Sequence, residues 1–120
     1  MMIGVPNRDS FNARVFGPFW HHLALPVHTF SYSVQTLSQL LEKCNFHVER
    51  VVYNTNLTPL LESIQMYLNR NDASPSSQGR LSRDKMATLL CSLGAFLQNI
   101  FHVADVVEVT ATKQLAVSEK

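Results

Sequence analysis

The alternation of apolar and polar positions divides the chain into seven segments. Met2 to Val5 is a short apolar run closed by Pro6-Asn7, which predicts a buried strand and a turn. The polar piece after it predicts one or two helical turns from Asp9 or Ser10 to near Gly17. From Ser31 or Ser33 the period changes: Leu37, Leu40, Leu41 and Cys44 share one helical face, with either serine able to cap it. Asn45 stands where a left-handed cap is wanted. Phe46 to Tyr53 then predicts a strand with Val48, Val51 and Val52 as its apolar members.

Thr58-Pro59 predicts the start of a third helix, striped by Leu57, Leu60, Leu61, Ile64 and Leu68. Asn69 to Arg80 is the one loop-like, weakly hydrophobic segment. Ser82 is placed to cap a long helix with Met86, Leu89, Leu90, Leu93, Leu97 and Ile100 on one face, a stripe that reads as ordinary core. Val103 to Thr112 predicts a last strand, with Val107, Val109 and Ala111 on one face and a frayed tail at 114–120. Three strands alternating with helices argue for an α/β layer in one domain over residues 1–113. The first two strands, joined through a helix, are expected to be parallel with a right-handed crossover.

Composition narrows the function. Of the 120 residues, 46% are hydrophobic and 16% charged, with a net charge of +1, as expected of an ordered domain. Both charge signs are spread along the chain, so nothing marks a phosphate-neutralising stripe and nucleic acid is not an expected partner. Met86 to Val107 is interrupted by Gln98, Asn99, His102 and Asp105, too polar on one face for a membrane span. Cys44 and Cys91 stand far apart and read as two reduced core thiols.

The stretch from Phe16 to Ser31, FGPFWHHLALPVHTFS, concentrates three Phe, one Trp and three His around Pro18 and Pro26. Adjacent His21 and His22 point to opposite sides of an extended chain, and no Glu or Cys stands at ligand spacing beside them, so no metal site is expected. No Gly-x-Ser-x-Gly is present either. The stretch follows a strand's carboxyl end, where open α/β sheets bind ligands. Asn7, Arg8, Trp20 and His28 are therefore the candidates for a substrate wall, against the simpler reading of aromatics packed as core.

Val5-Pro6-Asn7, Phe16-Gly17 to Trp20, Pro26 to His28 and Phe30-Ser31, followed by a helix closing at Asn45-Phe46, form an ordered series of words. The series resembles the C-terminal half of class I S-adenosylmethionine-dependent methyltransferases acting on small molecules. It departs from the family at Asn45, where Gly is usual, at Val27, where Arg is frequent, and before Asp105, where the family's turn glycines are missing. The resemblance implies part of a Rossmann-like sheet of order 3-2-1-4-5-7-6, with strands 5, 6 and 7 present here and the last strand antiparallel.

It also implies a cytoplasmic enzyme whose S-adenosylmethionine site lies in strands 1 to 4. Gly4, Gly17, Gly79 and Gly94 form no Gly-rich turn, so this chain alone is not expected to bind that cofactor or to be active. Without strand 4, Met2 to Val5 becomes an open edge, expected to pair with a second copy or with a partner chain. The competing reading is a non-catalytic α/β interaction module that self-associates through the same edge.

Overall fold

The computed structural model describes residues 1–23, 28, 30–74 and 76–114. In chain order the elements are β1 (Met2–Pro6), α1 (Phe11–Phe16), α2 (Val34–Lys43), β2 (Phe46–Asn54), α3 (Leu57–Leu68), α4 (Lys85–Ile100) and β3 (Val106–Lys113). Short 3-10 turns at Gly17–Phe19, His21–Leu23 and Leu81–Arg83 complete the list. The expected tail lies largely outside the described residues, at 115–120, as do Pro26 and Val27.

The three strands form one antiparallel open sheet of order β1-β3-β2. Both outer strands are antiparallel to β3, so β1 and β2 run in the same direction, but β3 separates them. The expected parallel direction of the first two strands therefore holds, with β3 inserted between them. Register aligns Ile3, Val109 and Val51 in one row and Val5, Val107 and Tyr53 in the next. These rows meet Leu37 and Leu41 of α2 to form the core, in which Val107, Val109 and Ala111 are wholly buried. On the other face of β3, Glu108 and Thr110 are half-exposed and Thr112 is exposed. The alternation read along this strand thus marks the core face correctly.

A bulge between Val48 and Arg50 leaves Glu49 without a register partner. The extra residue lets Val48 and Val51 pack against the same core, and Val52 turns outward. In α2, Ser33 and Thr36 form a reciprocal capping box, each side chain accepting the other's backbone N–H at 3.1 and 3.0 Å. Asn45 adopts φ 60°, the left-handed conformation expected of it. Leu40 and Cys44 do not join the core. Cys91 is half-buried, so neither cysteine is the core thiol the sequence suggested.

The other helices start at different caps. Asn56 rather than Thr58 precedes α3, and Pro59 falls in the first turn, where its missing N–H costs no helical bond. Asp84 rather than Ser82 caps α4, accepting the N–H groups of Met86 and Ala87 at 2.9 and 3.3 Å. The larger correction concerns the face of α4. Its inward residues are Ala87, Cys91, Gly94, Ala95 and Gln98, while the large apolar stripe faces outward.

Small residues let α4 lie close to α3; a Cβ built on Gly94 would already stand 4.0 Å from Leu60 Cδ2. The two helices lie where β1 and β2 end and β3 begins, with α3 also touching α1. The molecule measures 65 × 30 × 18 Å. Its radius of gyration of 17.2 Å exceeds the about 14 Å of a compact chain this long.

Candidate functional site

The turn after β1 is held by side chains rather than by glycine. Asn7 donates its amide to the Ala104 carbonyl at 2.9 Å, and its Oδ1 accepts the Asp9 N–H at 3.1 Å. Its backbone N–H reaches the Asp105 carbonyl at 2.7 Å, and Phe11 N–H reaches Val103 at 2.9 Å. Ser10 then caps α1 by accepting the Ala13 N–H. These bonds lock the carboxyl end of β1 to the segment that leads into β3.

Behind that turn lies a buried polar cluster. The Asp105 carboxylate accepts the Trp20 indole N–H at 2.8 Å on one oxygen and the Asn12 amide at 2.7 Å on the other. Asn12 and Gln98 exchange amide hydrogen bonds, both at 3.0 Å. Thr55 donates its hydroxyl to Gln98 at 3.1 Å and accepts the Asp105 N–H at 2.8 Å. Among the described residues every buried polar side-chain atom is satisfied. A buried polar cluster that is fully paired fixes one geometry, because any shift strands a donor in a low dielectric.

The histidines flank this cluster. His21 places Nδ1 2.9 Å from Glu62 of α3, and its backbone N–H donates to Ser63 Oγ at 2.9 Å. His22 stacks at a tilt on Trp20, ring centroids 5.7 Å apart. Burial holds its imidazole below the ordinary 6.5, and repulsion from His21 and His28 acts in the same direction; Asp105 and Glu62 pull it partly back. Among the described residues no three His, Cys, Asp or Glu side chains are arranged to hold a metal ion.

A cleft of about 530 Å³ opens beside Trp20, with Arg8, Arg14, Leu23 and Phe30 on its walls. A second cleft of similar size, about 530 Å³, begins on the Asp9 side of Arg8 and reaches Tyr32 and Thr36. Arg8 and Arg14 are exposed, so their guanidinium groups are free to meet an anionic or carbonyl-bearing group beside an aromatic floor. A further cleft, about 690 Å³, lies elsewhere, between Glu62 and Gln65 of α3 and the Arg80 to Arg83 turn, and touches none of the four sequence candidates.

No family model, curated protein or solved structure matches the chain. Its site is therefore described from geometry alone. Arg8 and Trp20 line one cleft together. Asn7 is 2% exposed and spends its side chain on backbone, which makes it a positioning residue rather than a wall. Trp20, 3% exposed, is anchored to the core by Asp105 while bordering the cleft. His28 is half-buried and close enough to His22 for their charges to interact.

Sequence reasoning missed Asn12, Thr55 and Gln98 as partners of Asp105. No local signal marked them, because the inward faces of α1 and α4 are set only by packing. Burial also pushes the Cys91 thiol above its ordinary value, which makes it a poor nucleophile.

Proposed function

We propose that this chain is the C-terminal, substrate-side part of an S-adenosylmethionine-dependent methyltransferase acting on a small molecule, and that it transfers no methyl group alone. The observation that carries this reading is the strand order β1-β3-β2, with β3 antiparallel to both neighbours. Strands 5, 7 and 6 of the sheet implied by the resemblance have that order and those directions. The chemistry of the turn after β1 agrees with a substrate role: the cleft beside Trp20 offers two guanidinium groups and an aromatic wall.

The cofactor is a different matter, because these residues do not fit it. Nothing here forms the Gly-rich turn of a nucleotide site, and the N–H groups of Asn7, Asp9 and Ser10 are already bonded, to Asp105 or within the turn. No methyl-transfer step is routed through this chain. Its own residues hold the substrate-side wall: Asn7 and Asp105 fix the turn, and Arg8, Arg14 and Trp20 present the cleft.

The edge of β1 not paired with β3 is where strand 4 would add, and a second copy pairing there is the interaction-module alternative. Calorimetric titration of S-adenosylmethionine into the chain separates the expectations. No heat of binding at micromolar cofactor is expected, together with slowed amide exchange in β1 when the first half of such an enzyme is added. Micromolar binding by the chain alone would overturn the division of labour, and unaltered exchange in β1 would favour the alternative.

A further inference from the structure

Among the described residues, the outward face of α4 carries the longest run of exposed apolar side chains. Met86, Leu89, Leu93, Phe96 and Ile100 are each between 53% and 66% exposed. They recur at alternating steps of three and four residues, the a/d seam of a helix that pairs with another helix. Leu90 and Leu97, 62% and 43% exposed, widen the seam on one side, and Phe101 extends it at the carboxyl end. Lone exposed leucines need no explanation, but a contiguous stripe along a whole helix does.

We infer that this face is a dimer interface, on which α4 of a second copy of this chain packs as an antiparallel helix pair about a two-fold axis near Leu93. Three features of the surface select that occupant. The first is area. At these exposures the eight side chains present roughly 800 Å² of accessible surface, a ceiling on what the face can bury that reaches the share one partner gives to an interface of standard size. At 16 residues α4 is long enough, about 24 Å, to supply that surface by itself.

The second feature is charge. Lys85 is the only charged residue of α4 and sits at its first position. Two copies set against each other meet no like charges, and the face carries no charge pattern that would select a different, charged partner. The antiparallel arrangement also sets the two helix dipoles head to tail and places each Lys85 near the carbonyl end of the other helix.

The third feature is the opposite side of the same helix. Ala95 and Gln98 are buried against the rest of the protein, and the residues between them and the stripe include no Lys or Arg, so α4 has no rim of cations. A helix that lies on a lipid surface needs such a rim to meet the headgroups. The inference is independent of the methyltransferase reading, since α4 lies away from both the edge of β1 and the cleft beside Trp20.

Sedimentation velocity on the full chain at micromolar concentration tests it. A species of twice 13.6 kDa is expected. Leu93→Glu, at an exposed position, should weaken the dimer at least a hundredfold with unchanged circular dichroism, and Leu89→Lys should do the same. Gly4→Pro, which blocks pairing through β1, should leave the dimer intact.

A wild-type monomer would overturn the inference, whether or not it floats with anionic phosphatidylserine vesicles. So would a dimer that survives both α4 substitutions and dissolves with Gly4→Pro. If Leu93→Glu unfolds the chain, Leu89→Lys read in the same way decides the matter.

Discussion

The indole N–H of Trp20 donates to the carboxylate of Asp105 at 2.8 Å across 85 positions of sequence. That bond ties the aromatic loop after β1 to the residue that opens β3, and Asn12 completes the pairing from α1 on the other carboxylate oxygen. The cleft wall and the central strand are therefore one mechanical unit. Anything that disturbs the core at Asp105 also moves the surface a ligand would touch.

Replacing Asp105 by Asn keeps the shape and turns one acceptor into a donor. Either the Trp20 or the Asn12 N–H then faces another N–H in a dry site, which should cost about 1–3 kcal/mol. Urea unfolding followed by the emission of Trp20, the only tryptophan, reads this directly. Asp105→Ala, which orphans both donors, should cost more. Equal stability of the Asn variant and the wild type would show that the pairing carries no weight.

The fold favours neutral His22, because burial lowers its pKa from 6.5. The associated stability is complete above 6.5 and is lost as the pH falls below 6.5 through the folded value. Urea midpoints at about pH 8 and about pH 5 should therefore differ more for the wild type than for His22→Gln. A variant with the same acid loss as the wild type would place the titrating group elsewhere.

Gly17 combines φ 52° with ψ −117°, and a Cβ added there would meet nothing within 4 Å. Gly17→Ala thus isolates backbone strain from crowding and should lower stability by about 1–3 kcal/mol. Gly4→Ala is the control: its Cβ makes ordinary contact with Glu108 at 3.7 Å, and the change should stay within about 0.5 kcal/mol. Thermal melts of the two variants side by side should show the difference.

Asn45 occupies the left-handed region at φ 60° between α2 and β2. Alanine there should cost about 1 kcal/mol, because its Cβ crowds the following carbonyl. Glycine should be tolerated nearly without cost, since it adopts the same angles freely. Denaturant midpoints of Asn45→Ala and Asn45→Gly check the pair, and identical losses would mean that the Asn side chain itself is needed.

Local rules made some of this structure legible in advance. Ser33 and Asn45 bracket α2 as their side chains and backbone preferences demand, and alternation alone identifies Val107, Val109 and Ala111 as the core row. Periodicity could not say which side of α4 turns inward, because its small residues and its large ones repeat with the same spacing. Size suggested the leucines; close approach to α3 requires Ala95 and its small neighbours instead. Val52 leaves the core face for another reason: a bulge shifts the two-residue period by one, and nothing in the run of valines announces it. In the candidate site, Arg8 and Trp20 were readable from their position after a strand. The partners of Asp105 were not, since Asn12, Thr55 and Gln98 meet only when three separate elements pack.

The central place of β3 also sets a timetable for the growing chain. Among the described strands both outer ones pair with β3, and β3 is made after both of them. At about 5–20 residues per second, the ribosome finishes β2 several seconds before Val106 emerges. Throughout that interval neither outer strand has that neighbour, so the three strands join only once β3 has emerged. A nascent chain stalled before Val106 has helices to form but no sheet, and its exposed valines are what a chaperone would meet first.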